Sequence, residues 1–201
     1  MKIVMAKAEL AFPIDPKEIL KNIELAGRTC YKSEDKITPE SSAGFMKRLI
    51  ASGHESVLEH EKISVRVICD RGVSHEIVRH RIASYSQEST RYCDYAGEMA
   101  VIDIASFLNG EQYGVWYGAM QAAEKAYAKL RELGVKPQIA RSVLPNSLKT
   151  ELVWTCNLRE WREVLRQRTS GAAHPQMREL MAQVMDLFMS LLPEVFEDIR
   201  K

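Results

Sequence analysis

Apolar and polar residues alternate along two stretches of the chain. Residues 61 to 69, Glu-Lys-Ile-Ser-Val-Arg-Val-Ile-Cys, and residues 148 to 155, Leu-Lys-Thr-Glu-Leu-Val-Trp-Thr, read as strands. Residues 2 to 9 predict a first strand. Helical spacing governs much of the remainder. Pro16 opens a helix to about Arg28, since proline suits the first helical position. A second helix follows Pro39, carrying Phe45, Met46, Leu49 and Ile50, with Gly53 as its stop. Asp70-Arg71-Gly72 reads as a turn, and residues 73 to 83 as a helix. Residues 84 to 110 show no clean period and read as a long functional loop. Residues 111 to 133 predict a helix ended by Gly134, and Pro137 and Pro145 bracket a short one. Further helices are expected at 158 to 168 and 176 to 198. Trp154, Trp161 and the methionines from Met177 to Met189 read as core. No regular βαβ rhythm appears, so the expected class is α+β, a mixed domain with a central sheet flanked by helices.

Composition narrows the function. The chain has 201 residues, 46% hydrophobic and 27% charged, which excludes wholesale disorder. A formal charge of +1 argues against coating long nucleic acid, and 7% aromatics against a platform for stacking single strands. Cys30, Cys69, Cys93 and Cys156 are scattered with no C-x-x-C pair, so they read as reduced thiols, some of them core filler. The N-terminal residues Met1 to Lys7 lack the apolar stretch of a signal peptide, and no apolar run approaches about 18 residues. The expected compartment is the cytoplasm, with no membrane or nucleic-acid partner.

The chemistry concentrates between Arg79 and Tyr92, in Arg-His-Arg-Ile-Ala-Ser-Tyr-Ser-Gln-Glu-Ser-Thr-Arg-Tyr. On a helical wheel of about 100° per residue, Val73, Ile77, Val78 and Ile82 share one half, and Arg81 falls inside it. An arginine there keeps its charge and requires an acceptor, whether a structural carboxylate, a bound phosphate or an electron-rich ring. The local excess of arginine suits a small anionic ligand held by forked guanidinium contacts. A solvated basic helix end explains the same composition.

Two histidine pairs raise the question of a metal. His75 and His80 are five apart, which on a helix leaves their rings about 140° apart rather than on one face. The segment from His54 to His60 holds two acids and two histidines, and it could bind a metal, cap a helix or line a pocket. Metal ranks last of these, and no metal is expected. No serine-hydrolase elbow, P-loop or G-x-G-x-x-G fingerprint occurs.

Arg79-His80-Arg81, followed by Ser89, Arg91 and Tyr92, with Ser84 and Gln87 also in place, resembles the signature of flavin-dependent thymidylate synthases. The resemblance extends through His54-Glu55-Ser56-Val57-Leu58-Glu59-His60, Ala140-Arg141-Ser142-Val143-Leu144-Pro145, Thr155-Cys156-Asn157-Leu158-Arg159 and Arg168. It implies one family domain over residues 1–201 and methyl transfer to carbon 5 of dUMP, giving dTMP. Methylenetetrahydrofolate would be the one-carbon donor and NADPH-reduced FAD the hydride source. It further implies a homotetramer with active sites shared between subunits.

By the same resemblance, Arg168 and Ser89 are the catalytic candidates. Glu76, Arg79, Gln87, Glu88, Ser89, Thr90, Arg91, Arg141 and Arg168 would bind dUMP. Ser56, Arg79, His80, Arg81, Gln87, Asn157, Arg159, Glu163 and His54 would bind the flavin. Arg168 would face the uracil and favour ionisation at N3, so no cysteine nucleophile is needed. Asn157 could also simply cap a helix. Four departures from the pattern stand out: Ser86-Gln87 replaces an Asn-Glu, Glu76 replaces a glutamine, Glu163 an amide, and the stretch from Arg168 to His174 varies within the family. An acid at 76 would need a partner, for which His80, one helical turn on, is the nearest choice. Two other readings remain: a nucleotide-binding regulator that has lost catalysis, and a small RNA-binding module on residues 79 to 91.

Overall fold

The computed structural model describes residues 1–200. It contains six strands and eight α-helices among those residues: β1 Lys2–Val4, β2 Lys7–Leu10, α1 Pro16–Thr29, α2 Ser41–Ala51, β3 Lys62–Asp70, α3 Arg71–Ile77, β4 Ala83–Gln87, β5 Ala100–Ile102, α4 Gly110–Glu132, α5 Pro137–Ala140, β6 Lys149–Asn157, α6 Leu158–Arg168, α7 Pro175–Leu191 and α8 Pro193–Phe196. A four-stranded sheet has the order β2-β3-β6-β4, and β1 pairs in parallel with β5. The class is α+β, as the sequence predicts.

The chain divides into two compact units. The first holds Met1–Lys7, Val67–Arg79 and Tyr85–Leu152, and the second holds Ala8–Arg66, His80–Ser84 and the residues from Val153 onward. In the first unit, Tyr95, Met99, Val101, Met120, Tyr127, Ala140 and Leu148 form the core under α4. In the second, an aromatic ladder does this work. Trp154 and Trp161 lie 4.6 Å apart between ring centroids, Trp161 and Phe188 5.1 Å, and Phe188 and Phe196 4.9 Å. Buried Met177, Met181 and Met185 fill the face of α7 beside it.

Local signals account for many boundaries. The Asp15 carboxylate accepts from the backbone N–H groups of Lys17 and Glu18 ahead of Pro16, capping α1. Gly53 and Gly134 follow α2 and α4 with φ of +70° and +81°, a left-handed geometry that glycine adopts without steric cost. The strand alternation is real: Ile63, Val65, Val67 and Cys69 are buried on β3, and Thr150, Leu152, Trp154 and Cys156 on β6.

Five expectations are corrected. Residues 2 to 9 form two strands in different sheets. Asp70 ends β3 and caps α3 through Val73 N–H, so 70 to 72 is a strand-to-helix junction rather than a turn. The helix expected over 73 to 83 ends at Ile77, because the chain must extend to join β6 as β4. Val78 and Ile82 are consequently exposed, and Arg81 is exposed on no helical stripe. The stretch from 84 to 110 holds most of β4, all of β5 and a short 3₁₀ turn at Ala105–Phe107. The helix expected over 176 to 198 breaks at Leu192, where Pro193 removes a backbone donor and starts α8.

Candidate functional site

In the first unit, the expected nucleotide-binding residues lie on α3 and just past it, at the end of β4, in the turn after it and just after α5. The Gln87 side-chain amide donates to Ser74 Oγ at 3.0 Å and Thr150 Oγ1 at 3.1 Å. Both hydroxyls are buried, and the Ser74 hydroxyl donates its own hydrogen bond to the Arg71 carbonyl. With both amide hydrogens used inward, Gln87 is left presenting its carbonyl oxygen as an acceptor. Glu88 accepts from Tyr95 Oη at 2.8 Å and pairs with Lys149 at 3.1 Å, and Lys149 also pairs with Glu151. Burial works against the Lys149 charge, but these two carboxylates outweigh it and raise its pKa. Burial, together with Glu88, pushes the Tyr95 phenol upward.

Ser89, Thr90 and Arg91 form the turn after β4. The backbone N–H groups of Tyr92 and Cys93 close it onto the Ser89 carbonyl, and Ser89 Oγ accepts from Arg91 N–H. The Arg91 guanidinium is exposed, donates to Gln138 and lies over the Tyr92 ring. Arg141 donates to the buried Thr90 hydroxyl at 3.3 Å. A cavity of about 350 Å³ opens beside this pair. Glu76 sits on α3 and Arg79 just past its end, exposed.

In the second unit, Arg168 at the end of α6 donates from Nε to Nε2 of His80 at 3.0 Å. His80 is buried, and its Nδ1 faces Glu160 Oε1 at 3.7 Å. A nitrogen that accepts cannot carry a proton, so His80 is the neutral Nδ1–H tautomer. Burial, reinforced by the Arg168 charge and only partly opposed by Glu163, lowers its pKa. Burial also raises that of Glu160, with help from Glu163. Within this unit His80 is thus placed between Arg168 and Glu160.

A cavity of about 460 Å³ in this unit is lined by Asn157, Arg159, Glu160, Glu163, Arg166, Glu55, Glu59 and Ile82. Asn157 caps α6, its carbonyl oxygen accepting from Glu160 N–H at 2.8 Å. That leaves its amide hydrogens available, so capping and ligand binding are compatible. Arg159 pairs with Glu59 at 2.5 Å, and both side chains are about half exposed. Glu163 accepts from Gln167. His54 and Ser56 are exposed at the start of the 3₁₀ helix Glu55–His60. Behind the cavity, fully buried Arg162 grips Asp198 through two bonds of 2.7 Å, bonds Glu55 at 2.9 Å and reaches the Val195 carbonyl.

The structure thus joins Gln87, Glu88, Thr90 and Arg141 to specific partners in one unit, and His80 with Arg168 in the other. Asn157, Arg159 and Glu163 share one cavity. Sequence reasoning missed Ser74, Thr150 and Glu160. Thr150 alone left a trace, as a hydroxyl on the otherwise apolar buried face of β6. Among the described residues, no group of three or more His, Cys, Asp or Glu side chains is placed to hold a metal.

Known proteins provide an independent comparison. Residues 15–194 match the family described as thymidylate synthase complementing protein. A flavin-dependent thymidylate synthase of Geobacter sulfurreducens is 34% identical over 185 residues, covering 88% of this chain and 80% of that protein. One of Mycobacterium sp. (strain JLS) is 34% identical over 198 residues, covering 88% and 78%. The fold is shared with a UMP/dUMP methylase from Streptomyces cacaoi, solved bound with 5-Br dUMP. Its TM-score is 0.81 at 24% identity, covering 100% of this chain and 97% of that one. With the family pattern running from residue 15 to residue 194, the chain belongs to the flavin-dependent thymidylate synthase family.

Proposed function

We infer that residues 1–201 act as one catalytic chain that methylates carbon 5 of dUMP to give dTMP, with methylenetetrahydrofolate as one-carbon donor and NADPH as the source of electrons. FAD, when bound, supplies the hydride chemistry. The observation that carries the reading is the Arg168–His80 pair, in a chain of this family. A guanidinium fixed on a neutral imidazole is a permanent, oriented cation. Beside a uracil ring it would stabilise the anion left when N3 loses its proton, making carbon 5 a better nucleophile. No protein thiolate is then required. Burial pushes the Cys69 and Cys156 thiols upward, away from reactivity.

The donor set of the 460 Å³ cavity fits the flavin cofactor at two residues. Asn157 has spare amide hydrogens. The Arg159–Glu59 pair is a surface one of the kind worth about 1 kcal/mol or less, so Arg159 can exchange its carboxylate for a diphosphate. Glu163 shares this cavity and would contribute an acceptor only. Ser56, His54, Arg79, His80, Arg81 and Gln87 complete the proposed flavin contacts. Glu76, Arg79, Gln87, Glu88, Ser89, Thr90, Arg91, Arg141 and Arg168 form the proposed dUMP contacts, with Ser89 and Arg168 as the catalytic pair.

The proposed assembly is a homotetramer whose sites draw on more than one subunit, working in the cytoplasm. No helix among the described residues is long and apolar enough to cross a membrane. The test is spectroscopic. Purified protein is expected to show flavin absorption that bleaches with NADPH, and to release tritium from carbon 5 of labelled dUMP when methylenetetrahydrofolate is added. Protein that takes up no FAD would end the proposal.

A further inference from the structure

We propose that Arg71 and His75 complete, with Arg141 and Thr90, a pocket for the phosphate monoester of the nucleotide substrate. The proposal rests on the dUMP reading above and extends it to two residues outside the family signature. Arg71, His75, Thr90, Arg141 and Ser142 all line the 350 Å³ cavity of the first unit, and no carboxylate lines it. Arg71 and His75 are four apart on α3, so their side chains share one face of the helix. The Arg71 backbone N–H is held by the carbonyls of Asn146 and Leu148, which fixes where its side chain starts. Among the described residues the Arg71 guanidinium has no ion-pair partner, and Arg141 has only the neutral Thr90 hydroxyl.

Two guanidiniums lining one cavity repel each other until an anion joins them. A phosphate monoester carries close to two negative charges and accepts paired donors from each guanidinium. The His75 imidazole and the Ser142 hydroxyl add further donors at the same wall. The volume lies near the lower end of small-molecule sites, which run from about 300 to 1,000 Å³. It suits a phosphate with part of its sugar, not a whole dinucleotide.

The same phosphate chemistry is present in FAD and NADPH, so the experiment separates these sources. Binding of dUMP and of deoxyuridine is measured on FAD-loaded wild type, Arg71→Gln, Arg71→Lys and His75→Gln. Losing a charge-assisted contact is expected to weaken dUMP binding by on the order of ten- to a hundred-fold in Arg71→Gln. Deoxyuridine binding, FAD content and the KM for NADPH should stay unchanged. Arg71→Lys should recover only part of the loss, because a point charge replaces a fork. Equal weakening of dUMP and deoxyuridine, no weakening of either, or loss of FAD or NADPH affinity would overturn the proposal. If wild type bound no dUMP at all, the substrate reading would fail instead. Inorganic phosphate titrated against wild type and Arg71→Gln would then decide the pocket on its own, with equal affinity overturning it.

Discussion

The Nε–H of Arg168 points into the lone pair of His80 Nε2 at 3.0 Å, and the Nδ1 side of the imidazole faces Glu160 Oε1 at 3.7 Å. Arginine cannot lose its charge, so the histidine must stay neutral for the contact to exist. Glu160, His80 and Arg168 thus form a line of groups that hold a cation in one orientation.

Replacing Arg168 should separate turnover from cofactor binding. Arg168→Ala is expected to cut kcat by about 10² to 10³-fold while FAD content holds, the range seen when a preorganised electrostatic group is removed. Arg168→Lys should rescue little, since it lacks the Nε–H that the imidazole accepts. Arg79→Ala should weaken both flavin and dUMP binding. Equal FAD loss in the two alanine variants, read from the flavin absorption of the purified proteins, would contradict this division.

His80 makes stability sensitive to acid. Its folded pKa is lowered by burial and by Arg168, whereas the unfolded chain titrates near 6.5. Below about pH 6.5 the unfolded state binds the proton more readily, so stability falls with pH from there until the folded pKa is reached. Above that window the group contributes no slope. His80→Gln keeps an acceptor without titrating. Its urea midpoint should therefore fall less than the wild-type midpoint between roughly pH 6.5 and 5.

The Gln87 carbonyl depends on two hidden hydroxyls. Thr150→Val removes one acceptor while preserving shape and should cost about 1 kcal/mol of stability. It should also raise KM for dUMP several-fold with kcat and FAD content intact, because the amide becomes free to rotate. Ser74→Ala should behave alike. Steady-state kinetics at varied dUMP would show whether KM alone moves.

Arg162 is expected to dominate the stability of the second unit. Its side chain is fully buried and neutralises Glu55 and Asp198. The bond from Arg162 holds the Asp198 carboxyl below its usual range. Glu55 is pushed up by burial but brought lower on balance by Arg162 and Arg166. Arg162→Ala strands those acids beside a cavity, and such losses cost about 3–5 kcal/mol. Denaturant unfolding should show it. The two carboxylates contribute stability above the unfolded carboxylate range, and that stability disappears as pH falls through their lowered pKa values.

The periodic elements were legible because they follow local rules. Strands β3 and β6 announce themselves by alternation, α1 and α4 by their spacing and caps or stops. The resemblance of the Arg79–Tyr92 segment also named half of the candidate residues. What misled was the continuation of the helical pattern past Ile77. Val78 and Ile82 keep the helical spacing, but β4 pairs with β6, and that long-range gain outweighs local propensity.

The sequence by itself determined the α+β class, the family and the set of arginines from which the proposed site is drawn, since these depend on residue type and spacing along the chain. Only the tertiary structure decided the partners: His80 with Arg168 and Glu160, Gln87 with Ser74 and Thr150, Arg71 beside Arg141. These pairs join residues up to 88 positions apart. A hydrogen bond fixes a proton only when folding brings its donor and acceptor to within about 3 Å, and no spacing along the chain encodes that distance.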